Sequence, residues 1–322
     1  LAEVFPTRIE RGAGLPHVER IAYLAELASV QLAGLDNLIL VDAKAPVSFF
    51  AYPGKQSYLV PEGCSVHELA GPAHDALGSL ERLVRIVGAE QSAPTLHASM
   101  RPGRPRGKFT ADKVCKAIGH LLPDDAIIVD EAQTSGVMLP LMTAGAPRHD
   151  VLALTGGAIG QGLPCAVGAA VASPDRPVLA LVGDGSAMYT IQALWTMARE
   201  QLNVVAVILN NRAYSILNVE LQRVGAADAG PKAKAQLDLR NPALDFVQMG
   251  RSMGVPSVRA TTTADFVAAL ERAFKTPGPH LIEAVVPSSI SGLKLKLLPR
   301  VLGSLSGLPA PLGRAIKRKL AP

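Results

Sequence analysis

Charged residues are scarce in this chain, 18% of 322, and aromatics scarcer still at 4%, with a single Trp. So little charge excludes a disordered chain or a charged coiled coil. Cysteine is sparse too: Cys64, Cys115 and Cys165 stand far apart with no paired spacing. That argues against a disulfide framework or a cysteine-based zinc site and points to a reducing, cytoplasmic setting. The seven histidines are scattered without HExxH-like spacing, so none is assigned to a metal. No internal repeat recurs, and Leu1 opens no charged-then-apolar leader pattern.

Acidic residues are absent from 288–322, which hold seven Lys or Arg, so the other residues carry 25 basic against 27 acidic side chains. A near-neutral body with a basic tail excludes a nucleic-acid-binding domain. The tail mixes Leu with Lys (Leu293-Lys294-Leu295-Lys296-Leu297-Leu298) and is read as a surface extension. A closing arm over the site and contact with an anionic membrane surface are its alternatives. Long uncharged runs are limited to Val151–Ala172, whose Gly residues, Pro164 and Gln161 read as strand, Gly-rich turn and helix instead of a membrane span.

What is present is hydrophobic, 48%, and punctuated by 29 Gly and 25 Pro. Continuous apolar runs at 38–41, 126–129, 151–154, 178–182 and 204–209 read as buried strands, and the mixed stretches 66–69, 257–260 and 281–286 as further strands. Segments of helical spacing at 19–32 and 73–87, and one opening at Thr110 as N-cap, alternate with them. The class is α/β, with two Rossmann-like layered domains and parallel sheets. Residues 1–90 form the first unit, 91–107 a Pro- and Arg-rich linker, 108–287 the second unit and 288–322 the tail.

Ligands in open parallel sheets bind beyond the carboxyl ends of the strands. Three strands end in loops with chemical content: Thr155-Gly156-Gly157-Ala158-Ile159-Gly160-Gln161-Gly162, Gly183-Asp184-Gly185-Ser186, and Asn210-Asn211-Arg212-Ala213-Tyr214. They are expected to cap neighbouring strands and converge on one pocket. Gly183 and Gly185 allow a tight turn with Asp184 directed outward. The N–H groups of Gly185 and Ser186 suit a phosphate. Asp184, Asn211 and a nearby carbonyl form an all-oxygen set that suits Mg²⁺ or Ca²⁺ and not zinc. Each motif alone also reads as an ordinary turn, and Gly157, Gly160 and Gly162 also fit a loose dinucleotide fingerprint with Asp184 as its acid.

The combination of Gly-Asp-Gly-Ser and, one strand later, Asn-Asn resembles the thiamine-diphosphate-dependent enzymes, in the branch of acetolactate synthases and benzoylformate decarboxylases. The resemblance is strong over 108–287, where the stretch 178–217, the Gly-rich loop continuing into Leu163-Pro164 and Asp130-Glu131-Ala132-Gln133-Thr134-Ser135 carry it. It is weaker over 1–90, which is similar to part of the central domain. It implies Mg²⁺ held by Asp184, Asn211 and the Ala213 carbonyl, and a diphosphate contacted by Gly185, Ser186, Gln133 and Thr134. Gly183, Ala187 and Met188 are implied to line the cofactor, as are Tyr189 and Tyr214, each equally able to pack. Ile159 falls at the wedge that bends the cofactor, and the Gly157 carbonyl at the acceptor for its 4′-amino group.

The implied activity is carboligation or decarboxylation of small 2-oxo acids, on chemistry that the cofactor carries. A simple 2-oxo acid decarboxylase and a non-catalytic regulatory paralogue are the alternatives. The family's Glu-bearing pyrimidine-binding domain has no match in 1–100, so a truncated chain or a separate partner is expected, with no turnover alone. The implied assembly is a homodimer or homotetramer. FAD is doubtful, because Asp42-Ala43-Lys44-Ala45-Pro46-Val47 replaces the Arg- and Asp-rich stretch of FAD-binding relatives. Phe49, Phe50 and Ala51 stand near the place of a catalytic His in benzoylformate decarboxylase. Leu217 and Glu220 face either substrate or solvent.

Overall fold

The computed structural model describes residues 1–226, 228–288 and 297, with the Gln133 side chain excepted. Among them run nine strands: β1 (Ile9–Arg11), β2 (Asn37–Val41), β3 (Ser65–Ala70), β4 (Ala126–Glu131), β5 (His149–Ala153), β6 (Val178–Gly183), β7 (Val204–Asn210), β8 (Ser257–Ala260) and β9 (His280–Val285). The larger sheet has the order β1-β5-β4-β6-β7-β9-β8. All its pairings are parallel except that of β1 with β5. β2 and β3 form a separate parallel pair.

The continuous apolar runs of the larger sheet have the expected cause, whereas β2, also read as buried, leaves Ile39 52% exposed because it lies in a two-stranded sheet with β3 alone. Along β7 every residue is buried, and successive side chains serve opposite layers. Val205, Val207 and Leu209 join Val114, Ile118, Phe266 and Leu270 of the helices Ala111–Leu121 and Thr263–Lys275. Val204, Ala206 and Ile208 join Leu163, Leu194 and Phe246 on the other face. Both faces are therefore dry, as a parallel sheet between helices requires. Phe266 is fully buried against Phe109, with ring centroids 5.8 Å apart. Phe266→Ala is expected to cost about 3–5 kcal/mol, read from urea unfolding.

Helix starts follow their caps. Thr110 accepts from the Lys113 N–H, Thr262 from that of Asp265 and Asp245 from that of Gln248. Two expectations shift. The helix expected from residue 19 begins at Ala25, because residues 19–21 are held extended by Ala2, which donates to the Glu19 carbonyl and accepts from the Ile21 N–H. Within 1–90, Ile9–Arg11 leave the first unit and form an edge strand of the larger sheet, beside an Arg8–Asp150 pair at 2.7 Å. A three-residue edge strand is too short to show a period. The linker stretch lies on the second unit, with Arg101 donating to the carbonyls of His120 and Leu122.

The uncharged stretch 151–172 divides into β5, a short turn of 3-10 helix and the helix Gly162–Ala172. Among the described residues no helix is long and apolar enough to cross a membrane. Apart from Ser288 and Leu297, the basic tail lies outside the described residues.

Candidate functional site

Strand order brings four loops, not three, into one row at the carboxyl edge: those after β5, β4, β6 and β7. The Gly-rich loop after β5 is not next to the Asp184 loop after β6, as the sequence reading has it, because β4 lies between them. The end of β4 supplies the connection. Glu131, 1% exposed, accepts from the Gly162 N–H at 2.7 Å and also from the Gly160 N–H. Burial pushes its carboxyl above the usual carboxylate range, and the two N–H groups act against that.

The Gly-rich loop is thereby pinned on three sides. The Thr190 hydroxyl donates to the Gly160 carbonyl at 2.7 Å. Gly160 adopts φ 94°, and a Cβ there would stand 2.6 Å from that of Tyr189, so glycine is required twice over. Gln161 closes the loop on itself, accepting from the Thr155 N–H and donating to the Ala153 carbonyl. Gly157 and Ile159 between these anchors are partly exposed. The Phe49 ring lies against Gly157, which brings the first unit to this loop.

Asp184 begins the short helix Asp184–Ala187 after β6 and is 2% exposed. Its Oδ1 accepts from the Gly185 N–H at 2.9 Å and its Oδ2 from the Arg212 N–H at 2.5 Å. Burial raises its pKa to about 6. No ion pair to Asp184 forms among the described residues. Its buried charge is thus met by N–H dipoles alone, an arrangement a cation would relieve.

The turn after β7 completes this corner. Asn210 points back into the sheet and donates to Glu283 at 2.7 Å, so Asn211 is the member of the pair that serves the site. Asn211 Oδ1 accepts from the Ala213 N–H at 3.0 Å, and Nδ2 donates to the Ser135 hydroxyl at 3.2 Å. Arg212 adopts φ 62°, a left-handed conformation costly for a side-chain-bearing residue and held here by the hydrogen bond its backbone N–H donates to Asp184.

Ser186 and Ala187 are buried, whereas Met188 and Tyr189 at the rim are exposed. Gln133 and Thr134 lie in the short turn after β4. The Tyr214 ring covers Gly185 so closely that a Cβ would stand 2.2 Å from its Cε1. Gly185→Ala is expected to displace that ring and cost about 1–3 kcal/mol in urea unfolding, and Tyr214→Leu in the same chain to recover part of it.

Asp184, Asn211 and the Ala213 carbonyl belong to one turn pair and are all oxygen donors, which suits Mg²⁺. Among the described residues no group of three or more His, Cys, Asp or Glu gathers as a metal cluster, at this corner or elsewhere.

Residues 132–284 match the thiamine pyrophosphate enzyme family at its C-terminal TPP-binding domain. The chain carries the C-terminal TPP-binding domain of the thiamine pyrophosphate enzymes. It is 57% identical over 90% of its length to IlvX of Mycobacterium tuberculosis, whose name places it with acetolactate synthase large subunits, and covers 56% of that protein. To benzoylformate decarboxylase of Pseudomonas aeruginosa it is 33% identical over 70% of its length, covering 43% of that enzyme. Among solved structures, the thiamine diphosphate-dependent 4-hydroxybenzoylformate decarboxylase of Rhodococcus jostii superposes with a TM-score of 0.66 at 28% identity, over 85% of this chain and 53% of that one. The chain thus spans about half the length of the curated relatives it matches. Its TPP-binding domain holds all four loops of the row, because residues 132–284 start one residue after Glu131 and run past Tyr214.

In the sequence Glu131 stands inside a loop motif without a role of its own, and neither Arg212 nor Thr190 is singled out there. The available signal for Glu131 was an acid closing an otherwise apolar strand, Ala126–Glu131.

Proposed function

We propose that this chain is the diphosphate-anchoring part of a thiamine-diphosphate- and Mg²⁺-dependent enzyme that decarboxylates or ligates small 2-oxo acids. The observation that carries this is the buried Asp184 carboxylate, unpaired with any cation among the described residues and set one hydrogen bond from the Asn211–Ala213 turn. Asp184, Asn211 and the Ala213 carbonyl would hold Mg²⁺, and Gly185, Ser186, Gln133 and Thr134 the diphosphate. Bound there, the cofactor supplies a carbon nucleophile toward the 2-oxo group and an electron sink for the departing carboxylate.

The protein's own part is positional. Glu131 fixes the Gly160–Gly162 backbone and with it the height of Ile159, the side chain in the wedge position. Asp184 ties the β6 loop to the β7 turn through one amide. Tyr214 closes the side of Gly185 against water. The aminopyrimidine end would be completed by a pyrimidine-binding domain, in a homodimer or homotetramer. The free thiols Cys64, Cys115 and Cys165 suit a reducing, cytoplasmic setting.

The test is CO₂ release from pyruvate and from benzoylformate, by the chain alone and with the part of the Mycobacterium tuberculosis relative that it does not cover. Release only in the mixture, dependent on thiamine diphosphate and Mg²⁺, supports the reading, and the product separates decarboxylation (aldehyde) from ligation (hydroxy-keto acid). Uptake of the cofactor by the mixture without CO₂ release from either acid would overturn the enzymatic assignment in favour of a non-catalytic paralogue.

A further inference from the structure

The helix Ser215–Arg223 begins two residues after Ala213, and its far end is buried in the first unit. Glu220 accepts from the Tyr52 hydroxyl at 2.6 Å and from the Tyr23 hydroxyl at 3.2 Å. Arg223, with its side chain 4% exposed, donates to Glu26 at 3.0 Å, and its guanidinium lies 4.1 Å over the Tyr52 ring. Lys55 pairs with the other oxygen of Glu26. Glu26 itself is 3% exposed, so Glu26, Arg223 and most of Glu220 are closed off together, with Lys55 balancing their charge from the exposed side. Burial raises the Tyr52 pKa to about 12, and its proton therefore stays available to Glu220 at neutral pH.

The near end of the same helix is tied to the site. The Ser215 hydroxyl donates to Asn211 Oδ1 at 3.4 Å, and the Ser215 N–H to the Ala213 carbonyl at 2.9 Å. Glu220 therefore turns its carboxylate to Tyr23 and Tyr52, with only 14% of its side chain exposed to solvent. A helix of nine residues is a stiff rod of about 13 Å, clamped at one end by the first unit and bearing the Asn211–Ala213 turn at the other.

The geometry points to Glu220 and Arg223, with Tyr23, Tyr52, Glu26 and Lys55, as a clamp through which the first unit positions the Asn211–Ala213 turn for Mg²⁺. They are positioning residues, because none touches the donor set. The inference deepens the cofactor reading and rests on it. Linkage makes the coupling reciprocal: whatever tightens the clamp tightens Mg²⁺, and Mg²⁺ tightens the clamp.

The test is backbone hydrogen exchange of the segment 210–215 in the 322-residue chain, compared with Tyr23→Phe/Tyr52→Phe and, as a second variant that keeps an acceptor and guards against misfolding, Glu220→Gln. Arg104→Ala, which breaks an exposed pair with Glu271, is the control. About tenfold faster exchange at 210–215 is expected in both clamp variants, with β6 unchanged. The Mg²⁺ needed for half-maximal thiamine diphosphate uptake should rise by a similar factor, with uptake at saturating Mg²⁺ unchanged. Wild-type exchange at 210–215 in both variants would overturn the clamp. Altered exchange, with no Mg²⁺-dependent uptake by any chain including wild type, would instead overturn the cofactor reading and the clamp's assignment to it.

Discussion

Asp184→Asn is expected to abolish Mg²⁺-dependent thiamine diphosphate binding while making the ligand-free chain more stable. The two effects share one cause. A carboxyl whose folded pKa stands at about 6 against 3.8 unfolded binds protons more tightly when folded. Stability is therefore fully present below the unfolded pKa and is lost as pH rises through the window from 3.8 to about 6. At neutral pH the lost stability is about 3 kcal/mol, roughly two pKa units. Asn keeps one acceptor oxygen, for the Arg212 amide, and removes the charge, but its NH2 leaves the Gly185 N–H without an acceptor, so urea unfolding at pH 7 should show a gain smaller than that and no longer weaken across the window. On the proposed reading, Mg²⁺ would offset the same cost in the native chain by binding the folded state alone. A variant that loses cofactor binding and gains no stability would mean that the Asp184 charge is compensated by something other than the metal.

Glu131→Ala should be the most damaging change outside the donor set. It strips the acceptors from the Gly160 and Gly162 amides, and each buried donor left without one costs about 1–3 kcal/mol. The relief of a buried charge returns part of this. The loop carrying Gly157 and Ile159 would then be held only by Thr190 and Gln161. Expected are a loss of a few kcal/mol in urea unfolding and weakened cofactor binding in calorimetry that added Mg²⁺ does not restore. Glu131→Gln keeps one acceptor oxygen and should fall between. If Glu131→Ala bound the cofactor normally, the Gly-rich loop would not depend on this anchor.

Much of this was legible in the sequence because the larger sheet is parallel and doubly covered. β6 and β7 are unbroken apolar runs, and the residue ending each run is where the chemistry begins. The Asp184 and Asn211 loops could be paired for the same reason, since β6 and β7 are neighbours. The Gly-rich loop could not be placed that way. Its strand, β5, is separated from β6 by β4, a crossover that periodicity does not encode. The role of Glu131 follows from that crossover, because a carboxylate can bridge to Gly160 and Gly162 only from the intervening strand. β1 was silent for a different reason: it is held by an antiparallel edge pairing and by Arg8–Asp150, neither of which leaves a pattern in three residues. Glu220 read as ambiguous because its partners, Tyr23 and Tyr52, lie far away in the chain.

On the proposed reading, the buried Asp184 carboxylate after β6 and the Asn211 amide after β7 would hold a metal that in turn holds a diphosphate. Calorimetric titration of the chain with thiamine diphosphate, with and without Mg²⁺, tests it most directly. Heat that requires Mg²⁺ and disappears in Asp184→Asn is the result expected. Heat of equal size without Mg²⁺, or undiminished in Asp184→Asn, would contradict it.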